Sequence, residues 1–184
     1  PGLSLPRVEP QVRVWYNPEL RSRNFMIPGV LAMVLMIITM MLTSLGIVKE
    51  KELGTMEQLI VTPLRPHELI LGKLLPFFLI GLVEIVVVVA VSVFGFGVPV
   101  KGSIWLLFGL SPIFMLTTLG LGLFISTISR NQQQAMLTAA FFIIPQIILS
   151  GFVFPIENMP RPIHWLTYVV PLRYFLVIIR WLFL

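Results

Sequence analysis

Long apolar runs alternate with short polar breaks along this chain, and run length decides what each run is. Phe25 to Val48 is uncharged. At ~1.5 Å per residue it can cross ~30 Å of hydrocarbon as one helix. Leu74–Val98, Ile104–Ile128 and Ala135–Phe154 repeat the pattern. The second run holds a β-branched stretch, Val86 to Val91, which in water would suit a strand. In a bilayer an open strand leaves its backbone groups unsatisfied, so helix is expected. The turn at 97–103, with Pro99 and Lys101, is short enough to make its flanking helices antiparallel neighbours. Ser129–Gln134 (SRNQQQ) is the next polar turn. Pro145-Gln146 and Ser150-Gly151 are expected to interrupt the fourth run, since proline removes a backbone bond. Pro155 to Arg173 holds Pro155, Pro160, Pro162 and Pro171 with Trp165 and Tyr168, which predicts short, partly inserted helices at the lipid–water boundary. Residues 174–184 read as the start of a last apolar helix. The predicted fold is an all-α polytopic membrane protein with four full transmembrane helices.

The longest polar interruption is Lys49 to Lys73. It carries Glu50, Glu52, Glu57 and Glu68, half of the 8 acidic residues. Leu53, Met56, Leu59 and Ile60 fall on one side of a helix, with Glu50, Glu57 and Gln58 largely elsewhere. Gly54 weakens the start of that helix and Thr62-Pro63 ends it. Pro66 suits the first position of the following helix. Such an amphipathic segment fits docking at a membrane surface better than a merely solvated connector.

Within the spans, polar and small residues are sparse and ordered. Gly29, Ala32, Met36, Thr39, Thr43 and Gly46 recur at three- and four-residue steps, one stripe of a helix. Thr118, Gly122 and Ser126 form a second stripe. In lipid, close packing through small residues carries much of helix association. The first stripe is therefore a candidate helix seam, and also a candidate substrate path or subunit seam. Glu84 is the one acidic residue inside a span, where a charge costs about 2.5–3.5 kcal/mol on insertion scales. It should face protein or water, or be protonated. Gln146 is a candidate interhelical hydrogen-bonder.

Composition agrees with membrane embedding. Of the 184 residues 57% are hydrophobic and 11% charged, against about 25% charged in a soluble domain. With no cysteine, no aspartate and two histidines, His67 and His164, no thiolate metal site and no Ser-His-Asp triad exists within the chain. No catalytic and no metal-ligating residues are assigned. The net charge of +5 comes from Lys and Arg flanking apolar runs, not from a groove of basic and aromatic residues, so no nucleic acid is expected. Residues 1–24, proline-rich with Arg7, Arg13, Arg21 and Arg23, read as the end of an extracytoplasmic domain, and the chain as a fragment of a longer protein.

Glu50-Lys51-Glu52-Leu53-Gly54-Thr55-Met56-Glu57-Gln58-Leu59, with Val61-Thr62-Pro63, then Glu68-Leu69 and Gly72-Lys73, resembles a pattern of the ABC-2 type permeases. The nearest likeness is to the drug-export-like branch of these membrane subunits of bacterial ABC exporters. Pro171-Leu172-Arg173-Tyr174 is a second point of likeness, and together they extend from about Trp15 to the end. The resemblance implies a coupling helix docking on a separate ABC ATPase subunit through Glu50, Glu52, Gly54, Thr55, Met56, Glu57, Gln58, Leu59, Thr62 and Pro63. It implies a re-entrant hairpin around 155–171 and a truncated final helix, 174–184, in a transmembrane domain spanning 25–184. It also implies pairing with a second, same or related permease subunit, allows a periplasmic adaptor protein, and places the protein in the bacterial inner membrane. No cofactor is expected on this chain. ATP-Mg would sit in the partner subunit, since Gly72-Lys73 lacks the earlier glycine and following Ser/Thr of a phosphate loop. The cargo implied is hydrophobic or amphipathic, drugs or lipids moving outward. Counting positive charges would put the four N-terminal arginines inside, opposite to the family. Long translocated domains escape that rule, so the orientation rests on the resemblance. The alternative is a proton- or ion-coupled secondary transporter or channel using Glu84. An intramembrane enzyme would lack His, Cys and Asp within the spans.

Overall fold

A computed structural model describes residues 22–55, 65–100 and 102–183. Among the described residues every regular element is helical. Helix α1 spans Ser22–Glu52, α2 Pro66–Ala90, α3 Ile104–Ile128, α4 Gln132–Leu149, α5 Arg161–Leu166 and α6 Pro171–Phe183. A wider π-turn, Val91–Gly95, prolongs α2. Four helices are long and apolar enough to cross a membrane: Met26–Glu52, Pro66–Gly95, Ile104–Ile128 and Gln132–Leu149.

α1 is the central helix. Half of its apolar window is buried, against 22% or 33% in the other spans, and it packs against α2, α3, α4 and α6. The stripe predicted on α1 makes the contact. Ala32, Met36, Thr39 and Thr43 are at most 1% exposed. Facing them on α3, Thr118, Gly122 and Ser126 are buried. Thr39 donates to Thr118 Oγ1 at 2.9 Å. A Cβ on Gly122 would come within 2.8 Å of the Met40 carbonyl oxygen and of Thr43 Cβ, so glycine sets the distance between the helices. At the ends of the stripe, Gly29 lies under the ring of Phe152 and Gly46 against Phe77.

The boundaries differ from the sequence reading in four places, each for a local reason. α1 does not stop at Val48: it runs on through Glu52, with Lys49 and Lys51 in its last turn, where cations favour a helix C-terminus. α2 begins at Pro66, eight residues before the predicted span at Leu74 and at the proline suited to a first helical position. α4 runs unbroken through Pro145 and ends at Leu149, not Phe154. It stops where Gly151 turns the backbone into the left-handed region, φ 81°. The last helix starts at Pro171, not Tyr174.

Arg161–Val169 and Pro171–Phe183 form a bent pair, 76° apart. Contacts fix where the pair goes. Phe175 stacks on Phe114 of α3, centroids 4.0 Å apart and planes within 6°, and Phe114 lies ten residues into α3, ~15 Å from its start. Gly102, in the turn before α3, donates its amide to the Leu182 carbonyl at 2.9 Å. A Cβ on Gly102 would sit 2.9 Å from Leu182 Cα, so only glycine lets the two backbones meet. α6 therefore rises from the middle of the bundle towards the α2–α3 turn. What the sequence presents as a hairpin followed by a new helix is one re-entrant unit, with α6 as its rising arm.

Candidate functional site

The polar segment joins α1 to α2, and its two ends are held by a charge pattern written in three consecutive residues. Glu50, Lys51 and Glu52 lie on the last turn of α1. Successive helical positions point about 100° apart, so the three side chains leave in different directions. Each meets a different helix. Glu50 pairs with Lys73 of α2. Lys51 donates to the carbonyls of Ser126 and Thr127 in the last turn of α3, the second at 3.4 Å. Glu52 accepts from the backbone N–H of Gln132 at 2.7 Å and from its side-chain amide at 2.5 Å, at the first residue of α4.

The signs follow from helix electrostatics. The C-terminal carbonyls of α3 present partial negative charge and receive an ammonium. The N-terminal amides of α4 present partial positive charge and receive a carboxylate. The α3–α4 turn is otherwise self-capped. Asn131 accepts from the Gln134 amide at 2.7 Å, an N-cap bond, and Gln134 Oε1 accepts from the Arg130 amide at 2.9 Å. On the far side of the segment, Glu68 accepts from the Arg65 amide at 2.9 Å, which closes the start of α2.

α1 ends where Gly54 turns left-handed, φ 70°, with open space around its Cα. Conformation, not crowding, requires glycine there. Thr55 donates to the Glu50 carbonyl at 3.1 Å and satisfies one of the last carbonyls of the helix. The result is a clamp: the four spans meet at one end through the foot of α1, and the polar segment leaves from it.

Among the predicted coupling residues, Glu50 and Glu52 thus belong to α1 and turn to partners within the chain, whereas the sequence places them on a separate short helix. Gly54 terminates α1 instead of weakening a new helix. Met56, Glu57, Gln58, Leu59, Thr62 and Pro63 lie outside the described residues. Ala32, Met36, Thr39 and Thr43 are consumed by packing within one chain, which leaves no surface at those positions for a second subunit in this conformation. Glu84 is half-buried on α2, and its two carboxylate oxygens are buried without a hydrogen-bond partner among the described residues. Gln146 is 8% exposed, and its Oε1 likewise has none. The residues that sequence reasoning misses are Lys51, Lys73 and Gln132. The alternating Glu-Lys-Glu at a helix end, facing a turn rich in capping residues, is the signal that could have found them.

Comparison with known proteins gives one answer throughout. The family model described as "ABC-2 type transporter" matches residues 12–184. The "probable multidrug ABC transporter permease YbhS" of Escherichia coli K12 is 45% identical over 182 residues, covering 97% of this chain and 48% of that protein. The "probable multidrug ABC transporter permease YbhR" of the same strain is 37% identical over 173 residues, 94% of this chain and 47% of its own. The "inner membrane transport permease YhhJ", also of that strain, is 31% identical over 182 residues, 94% and 46%. The chain spans about half the length of these curated relatives. No solved structure matches.

Proposed function

The chain belongs to the ABC-2 type transporter family, and from that premise we propose that it is the membrane-spanning part of a permease subunit in an ATP-driven exporter. The clamp carries the reading. A partner pressing on the segment between Gly54 and Arg65 pushes directly on α1 and α2, which flank it. Through Lys51 and Glu52 the same push reaches α3 and α4. A rigid joint at this point turns a local displacement into a movement of four helices. Coupling then requires only that two states of a partner bind the segment with different affinity.

On this reading the clamp end faces the cytoplasm of a bacterial cell, and an ABC ATPase subunit carrying ATP-Mg docks on Gly54, Thr55 and residues 56–63. A second permease subunit completes the translocation path. The cargo is hydrophobic or amphipathic, a drug or a lipid, and moves outward; the names of YbhS and YbhR support the drug class. Single cysteines replacing Met56 or Glu57 in the full-length protein should crosslink to a co-purified ATPase. Labelling of those cysteines from outside the cell, or no crosslink in a complex that hydrolyses ATP, overturns the proposal. A second reading is favoured by Glu84, whose buried carboxylate could serve a proton- or ion-coupled carrier. Transport that persists without ATP and is abolished by Glu84→Gln would select it.

A further inference from the structure

A cavity of about 670 Å³ lies at the hairpin end of the bundle, between α6, the turn that follows α4 and the first turns of α1. Its walls bring together Arg173, Val177 and Arg180 of α6, Glu157 of the turn, Phe152 and Met26. Arg173 and Arg180 are seven residues apart and share a helix face, ~10.5 Å apart along the axis. Both are half-buried. Arg173 donates to Thr167 Oγ1 at 2.6 Å and lies 4.5 Å from the centre of the Tyr168 ring. These contacts fix the guanidinium in place without neutralising it. Arg180 reaches the Gly151 carbonyl at 3.4 Å and feels the charge of Glu157. Glu157 itself is exposed. Two guanidinia thus share the wall with one carboxylate, and the balance is positive.

Cationic side chains inside a bilayer are costly unless they meet water, a counter-charge or the headgroup layer. Here they line a space large enough for a small ligand. The surroundings mark the headgroup layer, because Trp165 and Trp181 are 78% and 72% exposed on the hairpin, as boundary aromatics are. Arginine pairs with phosphate through two parallel N–H donors, and basic pockets at the membrane boundary hold lipid headgroups.

We propose that this cavity binds the phosphodiester of an anionic phospholipid between Arg173 and Arg180, with the acyl chains laid along Val177, Met26 and Phe152. The proposal rests on the membrane embedding of the chain and not on the coupling role of the clamp, so either can fail alone.

The test uses the full-length permease in phosphatidylcholine vesicles that carry a minor share of brominated phosphatidylglycerol or brominated phosphatidylcholine. Quenching of tryptophan fluorescence reads which lipid sits against the hairpin. The wild type should favour phosphatidylglycerol by roughly fivefold or more, from about 1 kcal/mol per basic residue. Arg173→Gln with Arg180→Gln should bring the ratio near one, Arg173→Lys with Arg180→Lys should keep most of it, and Glu157→Gln should raise it. Equal quenching in the wild type overturns the proposal, and so does a preference that survives in a normally inserted double Gln variant. Should that variant fail to insert, Glu157→Gln decides: an unchanged or lower ratio overturns the site. Inorganic phosphate added to the vesicles should leave the preference in place. If it abolishes the preference, the site takes a soluble anion and the lipid assignment is wrong.

Discussion

The seam and the clamp hold α1 against α3 by opposite means. Along the seam, Thr39, Thr43, Thr118 and Gly122 bring two backbones close, with no charge involved. At the clamp, Lys51 and the terminal carbonyls of α3 meet through charge at the rim of the bundle. The seam sets how far apart the helices lie. It gains from dispersion contacts, which fall away steeply with distance. The clamp sets how their ends turn together. It gains from helix-terminus electrostatics, which are modest and screened by salt. One region should therefore govern whether the protein folds and the other whether a push is transmitted.

The largest effect expected from separating them is Gly122→Leu. The new side chain must enter a space already closed by the Met40 carbonyl and Thr43, and overpacking of this kind costs about 3 kcal/mol. Thermal unfolding in detergent should show a lowered midpoint and a poor yield, and normal stability would mean that the seam can open. Lys51→Met comes next. It removes the cation from the end of α3 at a cost of about 1 kcal/mol, while ATP-driven transport by the full-length complex should fall far more than the melting temperature does. If transport and stability fall in step, the clamp is merely a structural tie. Thr39→Val removes one interhelical hydrogen bond, worth about 0.6 kcal/mol in a membrane. It should lower the melting temperature slightly and leave transport intact. Glu52→Gln should be the mildest for stability, because the amide still accepts from Gln132. Its transport defect should resemble that of Lys51→Met if both serve one joint. Raising salt should reproduce the Lys51 and Glu52 phenotypes and spare the seam.

Much of this architecture is legible in the residues alone. The third span falls at Ile104–Ile128 both by hydropathy and in the fold, because both its ends carry local signals: a Gly-Ser turn before it and SRNQQQ after it. The stripe from Gly29 to Gly46 is legible as a seam because small residues at helical spacing report a face. Its partner helix is not, since two stripes on two helices do not state which meets which. Pro145 misleads, because a proline within a span is tolerated when neighbouring groups satisfy the freed carbonyl. Gly151, with its left-handed backbone, is the true stop.

The chain's own hydropathy and spacing determined that it is helical, that four of its helices can cross a membrane, and that one polar segment interrupts them. These properties depend on neighbours a few residues away, and so they are written locally. Only the tertiary structure decided that Glu50, Lys51 and Glu52 serve three different helices, that α6 rises instead of beginning a new span, and that Arg173 and Arg180 share a cavity with Glu157. The partners of Lys51 and Glu52 lie 75 to 80 residues away, and nothing in the local pattern of a helix end says which distant terminus will fold back to meet it.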